Sequence, residues 1–536
     1  MNWLFRPSVL VMFSLALVVG ALALVVPPLW EEGKGNPPAP LPVADNEREI
    51  VWLYSATSAA SWERFVTAVG KAARHLQTDH PDLEVHIDDS AFPRQTAAVS
   101  QFSLTLGGGG QRLVFRWYKL TSEGKTAQWV DALLRRRPAP LAIIGGSSSD
   151  LAIELVTSLR DQSAKYPGVV PPLVLLTAAT ADRVREPDQP DDVPLNSIHD
   201  KRTFRFCFTN RQMAQSVTNF IWQRDELRPD TDPFYVAMWR DDPYSLDLTG
   251  RFSEVLRQPL AARSAARAWG TATVFTATGT WPLDLHGLYS EPVPEYIDYS
   301  VGLYDQPNRW EAPVVQRLIE TKAKLYPTQQ RPLLVLTAGS SQAARRFLRG
   351  LYAVESRDAR RFVVATGDGV SFNTVYRDRK LTWPFQDMKF NLVFFCHRNP
   401  IDEDAGFQAE GEVQPAPPDQ GSPTTGTEDL LLNMDIVEAL VLACYESWPA
   451  NADELATQLA RARWQDDRIA FGAGGVPLFD DQGNRMSGTG EHVVWLRPVR
   501  PRPRNEPPAY IEVWVPGQER ASRELRVNDD TMESDR

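Results

Sequence analysis

Apolar and polar positions alternate along this chain with two distinct periods, and the switches between them lay out the architecture. From Glu49 onward, short apolar runs of strand length are followed by stretches with a helical 3.6-residue repeat. Ile50–Tyr54 predicts a strand and Ala60–His75 an amphipathic helix. Leu83–Ile87 and Arg112–Trp117 predict strands around a turn at Gly107–Gly110. Thr126–Arg137 (helix), Leu141–Ile144 (strand), Ala152–Lys165 (helix) and Val174–Leu176 (strand) follow. A second series starts near Phe208, with strands at Phe234–Trp239, Thr271–Phe275, Leu333–Leu336, Phe362–Ala365 and Leu392–Phe395. Its helices are Arg211–Trp222, Leu246–Arg257, Pro313–Leu325, Gln342–Tyr352 and Leu430–Glu446, and strands Val493–Leu496 and Ile511–Val515 close the chain. Regular β-then-α alternation in two series predicts an α/β protein of two Rossmann-like, doubly wound lobes, each a mostly parallel sheet with helices on both faces.

The strongest departure from this pattern is at the start. Residues 8–26 are apolar without a charge, long enough to cross a bilayer, with Arg6 before them and Glu31-Glu32 after. They predict an N-terminal transmembrane signal-anchor helix that puts the bulk of the chain on the extracytoplasmic, periplasmic side. The alternative is a signal cleaved at Ala21-Leu22-Ala23, which secretes the protein. Residues 27–47 are rich in Pro and Gly and predict a stalk, while 404–428 predict a disordered insertion of Pro, Gly and acid. Beyond 500 a strand and a disordered tail remain.

A length of 536 residues requires more than one core, and 43% hydrophobic with 23% charged residues is ordinary for a globular protein. A net charge of −11 and a pI near 5.3 exclude nucleic acid as the main partner. Cys207, Cys396 and Cys444 are too few for a disulfide framework, leaving one bridge or three free thiols. There is no G-x-S-x-G elbow, no H-E-x-x-H and no P-loop, and the seven histidines form no spaced metal pair; His199 and His397 follow polar turns and are expected at the surface. The chain is therefore expected to catalyse nothing and to need neither metal nor cofactor.

Candidate chemistry lies at strand ends. PLAIIGGSSSDL (140–151) and PLLVLTAGSSQA (332–343) share a strand, a Gly-Ser-Ser turn and a helix start. Glycine permits close approach there, and serines cap the helix or present hydroxyls to a ligand beside free N–H groups. Thr177–Asp182, Ser55–Ser58, Arg240–Ser245 and Thr366–Gly369 occupy equivalent positions, where ligands of open α/β sheets bind. Asp241 and Asp242 are expected chiefly as turn or capping residues, and Asp368 is a candidate partner for an ammonium group.

In their order, GGSSSDLA (145–152), LLTAATADRV (175–184), FRFCFTNRQMAQSVTNFI (204–221), AMWRDDPYS (237–245), TGDGVSFN (366–373) and FGAGGVPLFDDQGNR (471–485) resemble type I periplasmic binding proteins, the branched-chain amino-acid-binding type of ABC-transporter substrate-binding protein. The resemblance spans roughly 48–500. It implies an interlobe ligand cleft, with lobe one at 48–206 plus 362–465 and lobe two at 207–361 plus 466–500, followed by 501–536 as strand and tail. It also implies that Ser147 or Ser148 and Thr180, with the backbone of Ala178 and Ala179, hold a ligand carboxylate, that Tyr244 covers the ligand and that Asp368 meets its ammonium. The expected partners are a small, amino-acid-like ligand and an ABC-type permease or a sensor protein. The insertion, the tail and the aromatic segment 281–309 depart from the family and keep a second expectation open, a structural or protein-interaction ectodomain with a degenerate cleft.

Overall fold

The computed structural model describes residues 39–81, 83–87, 99–107, 110–122, 124–186, 191–229, 234–237, 242–261, 272–276, 279–283, 332–339, 344, 348, 362–370, 390–400, 427–497, 510–516 and 523–526. The expected anchor over 8–26, the insertion up to residue 426, most of 281–309, the helix at 313–325 and Ser340-Ser341 lie outside them. Among the described residues, no helix is long and apolar enough to cross a membrane.

The first sheet contains β1 (Glu47–Ser55), β2 (Glu84–Ile87), β3 (Ser100–Leu106), β4 (Gln111–Leu120), β5 (Ala142–Gly145), β6 (Leu173–Leu176) and β9 (Thr203–Arg205), ordered β2-β3-β4-β1-β5-β6-β9. A small hairpin of β7 (Arg183–Arg185) and β8 (Asp192–Pro194) stands between β6 and β9 in the chain. β4, β1, β5, β6 and β9 run parallel, whereas β2 and β3 are antiparallel additions at one edge. Ser100–Leu106 alternates polar and apolar residues in a run that the Gly-rich turn joins to β4, a hairpin signal that the helical pattern upstream obscures.

Both faces of this sheet are covered, as its continuous apolar strands require. On one face α1 (Ala59–Asp79), α6 (Thr427–Glu446) and α7 (Ala452–Leu459) enclose a core built on Trp52, Trp62, Phe65, Phe102 and Trp117. On the other, α2 (Thr126–Arg135) and α3 (Ser149–Ser163) pack on Val51, Leu53, Tyr118, Ile143 and Val174.

The second sheet has nine strands, ordered β12-β11-β10-β13-β14-β15-β19-β20-β21. These are β10 (Phe234–Ala237), β11 (Ala272–Thr276), β12 (Gly279–Leu283), β13 (Leu333–Ala338), β14 (Phe362–Thr366), β15 (Asn391–Cys396), β19 (His492–Leu496), β20 (Tyr510–Trp514) and β21 (Arg523–Arg526). β11, β10, β13, β14 and β15 are parallel, and α4 (Asn210–Trp222) and α5 (Pro243–Ala261) cover one face. A small sheet of β16 (Arg463–Gln465), β17 (Arg468–Ala470) and β18 (Val476–Pro477) completes the described strands.

Two boundaries differ from expectation. Phe362–Thr366 and Asn391–Cys396 belong to the second sheet, not to lobe one, because β14 pairs with β13 and β15 pairs with β14; lobe one's return starts at α6. The tail also continues the second sheet: β21, a charged RELR edge strand without an apolar run to betray it, pairs with β20.

The stalk expected over 27–47 gives way to ordered contacts by Leu41. Its N–H donates to the Tyr118 hydroxyl at 3.0 Å, and its carbonyl accepts from Arg136 Nη1 at 2.6 Å. Beneath it, the buried Glu49 accepts from Arg116 at 2.9 Å, from Tyr118 at 3.0 Å and from Arg136. All three cysteines are buried, and none is in a disulfide. Burial pushes the Cys207 and Cys444 thiols up to about 12. The native protein is therefore expected to be inert to a thiol-specific disulfide reagent at pH 8 and to release three equivalents of reaction in denaturant; fast reaction of the native form would contradict this burial.

Candidate functional site

The chain passes between the lobes at 206–209, between β15 and α6, and again at 479–491. All three crossings meet one buried group. Arg485, 0% exposed, pairs with Asp435 of α6 at 2.7 Å and donates to the Phe206 carbonyl at 3.0 Å, to Thr489 Oγ1 at 3.0 Å and to the Thr489 carbonyl. Arg398 is 3.8 Å from the other carboxylate oxygen of Asp435 and lies over Trp464. His397 adds a second tie. Phe208 N–H donates to Nδ1 at 3.1 Å, so the ring proton sits on Nε2, which donates to Asp368 Oδ2 at 2.9 Å. His397 is thus buried, as is His199, whose Nε2 is 3.0 Å from the Pro172 carbonyl. The surface expectation failed for both because a polar turn in sequence says nothing about what packs over it.

On the lobe-one side of the cleft, Tyr54 and Thr177 end β1 and β6, and their hydroxyls are 2.9 Å apart. Trp52 stacks on Tyr54 with ring centroids 3.9 Å apart, fixing the phenol. Burial pushes Tyr54 up to about 12, so it remains a neutral hydroxyl. Beside it, Arg64 of α1 lies 3.8 Å from Asp429 in the first turn of α6. Protein on several sides pushes the Asp429 carboxyl above its ordinary value, although 55% of the side chain meets solvent, as a cleft wall would have it. Asp429 feels the field of His397 and Asp368, which come from the other lobe.

There, Gly369 N–H donates to the Tyr244 hydroxyl at 3.1 Å, and the Asp368 carboxylate stands beside it. Burial, reinforced by Asp368, holds Tyr244 well above its ordinary value. A Cβ on Gly369 would come within 2.3 Å of the Gly339 carbonyl oxygen, so only glycine admits this approach. Asp368 Oδ1 is buried without a hydrogen-bond partner among the described residues.

The other sequence candidates divide. Ser147 is exposed at the end of β5 and Ser148 is half-buried at the α3 N-cap, its side chain making no capping bond. Ser149 does the tying, accepting from Ala181 N–H at 3.2 Å. Ala179 is core, Ala178 half-buried, and Thr180 fully enclosed; its carbonyl accepts from Asn210 N–H at 2.7 Å while its hydroxyl has no partner among the described residues. Asp242 caps α5 through Tyr244 and Ser245 N–H at 3.2 Å each; Asp241 lies outside the described residues.

No protein-family model and no curated protein matches the chain. Among solved structures, the leucine-, isoleucine-, valine-, threonine- and alanine-binding protein from Brucella ovis, in a closed conformation, has a TM-score of 0.50 at 12% identity, covering 90% of this chain and 94% of that one. The fold is that of the type I periplasmic binding proteins. A leucine-binding protein from Thermotoga maritima gives 0.45 at 13% identity, over 90% of this chain and 100% of its own.

In this periplasmic-binding fold the lobes also touch outside the cleft. Asp247 of α5 accepts from Asp182 N–H at 2.7 Å and from Asn210 Nδ2 at 3.0 Å, and Arg251 lies 3.2 Å from Asp247 and 3.5 Å from Asp182. Burial, then the neighbouring Asp182, raises Asp247 from 3.8 to about 6 against the pull of Arg251. A carboxyl that binds its proton more tightly when folded penalises the native state fully above about pH 6, and the penalty fades as pH falls from 6 towards 3.8. Asp247→Asn is expected to be about 1–3 kcal/mol more stable than wild type at pH 7, the gain disappearing near pH 4. Urea midpoints at pH 7, 5 and 4 measure it; a pH-independent difference would refute it.

Proposed function

We propose that the chain is an extracytoplasmic binding protein for a small amino-acid-like or carboxylate ligand, enclosed by closure of the lobes and handed to an ABC-type importer or a sensory partner. What supports this reading is that Asp429 of lobe one is within electrostatic reach of Asp368 of lobe two and of Tyr54, whose hydroxyl pairs with that of Thr177. Ser147, Ser148 and the free N–H groups of α3 receive the ligand carboxylate, beside the backbone of Ala178, Ala179 and Thr180. The two carboxylates receive a cationic group, and Tyr244 backs Asp368. The amino acids in the name of the Brucella ovis protein set the first ligands to try. Residues 8–26 tether the bulk of the protein outside the membrane.

The enclosure of the Thr180 hydroxyl and the engagement of Asp368 by His397 favour the second expectation, an interaction ectodomain with a degenerate cleft. A thermal-shift panel of amino acids, carboxylates and amines separates the two, since a ligand bound only by the folded state raises the melting temperature by RT ln(1 + [L]/Kd). An amine-bearing ligand is expected to raise it by several degrees at about 100-fold excess over Kd, and Asp429→Asn to weaken binding at least about tenfold, as one lost charge-assisted contact does. No response across the panel would leave only the ectodomain.

A further inference from the structure

Outside the cleft, lobe two grips one segment of lobe one. The segment is Thr180–Asp182, which leads from β6 into β7 and carries one of the candidate ligand residues. From the first turn of α4, Asn210 N–H donates to the Thr180 carbonyl at 2.7 Å and Arg211 N–H to Asp182 Oδ2 at 2.8 Å. In return, Asp182 N–H donates to Asp247 Oδ2 of α5 at 2.7 Å. The same carboxylate oxygen accepts from Asn210 Nδ2, which also reaches the Tyr244 carbonyl at 3.3 Å. Asp247 therefore ties the Thr180 segment to the start of α5, the turn that carries Tyr244.

This junction is nearly dry but incompletely satisfied. The side chains of Asp247 and Arg251 are 7% and 10% exposed. Yet Asn210 Oδ1, Arg251 Nε and Thr180 Oγ1 are buried there with no hydrogen-bond partner among the described residues. Separating the lobes gives those three atoms to water, so the junction holds with less than its full strength. Helix α5 packs on α4, β7, β10, β13 and α3. Of these, β10 and β13 bring no charged residue, and β7 brings Arg183 and Arg185, both turned to Asp192. From α4, Arg211 lies 3.4 Å from Glu254, and from α3, Asp150 is within electrostatic reach of Asp242. The charges that act on Asp247 itself are Asp182, across the junction, and Arg251, on its own helix.

We propose that Asp182, Asn210, Asp247 and Arg251 form an interlobe latch, which holds the lobes closed without ligand and which a proton on Asp247 tightens. This goes beyond the binding function, because the latch sets how often the cleft opens, whatever occupies it. Closed, the Asp247 carboxyl is shut from water beside Asp182; burial and then that neighbour raise it from 3.8 to about 6, against Arg251. Open, it loses Asp182, meets water and returns towards 3.8. The closed state thus binds the proton more tightly, so closure is favoured as pH falls through 6 and relaxes above it. From pH 8 to pH 5 the closed-to-open ratio rises about tenfold.

Pulsed EPR on the full chain tests it, with nitroxides on Arg185→Cys and Gln215→Cys, exposed positions of lobe one and lobe two, while the buried native thiols stay unlabelled. The otherwise wild-type pair is expected to show a short and a long distance, the short one gaining about tenfold over the long one from pH 8 to pH 5. Asp247→Asn, which carries no charge at either pH, is expected to keep the short distance at both. Asp247→Ala takes the acceptor from Asp182 N–H and Asn210, and is expected to lose the short population at least about tenfold at pH 5. A second label pair within lobe one, Glu63→Cys and Asp161→Cys, keeps its distance in every folded variant; if Asp247→Ala does not fold, the wild type and Asp247→Asn decide. One pH-independent distance in the wild type, a pH response that survives in Asp247→Asn, or a folded Asp247→Ala that stays closed overturns the latch. No ligand enters this measurement. A silent thermal-shift panel beside a working latch removes the binding function alone, and ligand binding without the pH-dependent distance removes the latch alone.

Discussion

Arg485→Ala is expected to lower stability by about 3–5 kcal/mol, because it leaves the buried Asp435 carboxylate with only the more distant Arg398, 3.8 Å away. It also takes the donors from the Phe206 and Thr489 carbonyls, so two of the three crossings lose their shared partner. Arg485→Met should recover part of the loss only when combined with Asp435→Leu, since together they remove the orphaned charge and keep the volume. Chemical denaturation of the three variants measures this, and a loss under about 1 kcal/mol in Arg485→Ala would mean that the guanidinium does not hold the hinge. The same variant should lose ligand-induced stabilisation more than expected from stability alone, because lobes that no longer share a fixed hinge do not close on one geometry.

Glu49→Ala is the second large effect, about 3–5 kcal/mol by the same logic with the signs exchanged. The guanidiniums of Arg116 and Arg136 converge on this one carboxylate, and without it they sit beside each other in a buried site. Here a local readout accompanies the global one. Arg136 and Tyr118 hold Leu41 as well as Glu49, so the segment around Leu41 should become a site of rapid proteolysis in Glu49→Ala before the rest of lobe one unfolds. Protection of that segment at the wild-type level would show that Leu41 is held by other contacts.

The doubly wound lobes were legible because their strands are buried on both faces and so stand out as apolar runs, from Ile50–Tyr54 to Leu392–Phe395. Lobe membership was not legible at β14 and β15. An apolar strand carries no mark of which sheet it joins, and the switch lies in the pairing with β13. At the proposed site, Ser147 and Asp368 could be nominated because glycines flank them, and glycine marks close backbone approach, whereas Tyr244 was nominated as an aromatic at a strand end and from the family resemblance. Arg64 and Asp429 could not, since a charge on the polar side of an amphipathic helix reads as solvated surface until the fold brings α1 against α6. Thr180 shows the opposite error: a hydroxyl in a suggestive turn whose carbonyl, not its hydroxyl, carries the contact.

The way the two lobes borrow from distant parts of the chain bears on how the protein is made. Arg48 donates to the Pro449 carbonyl across 401 residues, α1 packs on α6, and lobe two's sheet is completed by strands beyond residue 490. The α1/α6 face of lobe one and the sheet of lobe two cannot be completed until almost the entire polypeptide has been synthesised, and such remote contacts form slowly because a long loop must be ordered first. Until those late segments arrive, one face of lobe one's sheet stays incompletely covered, which delays completion of the fold and favours passage of a still-unfinished chain across a membrane.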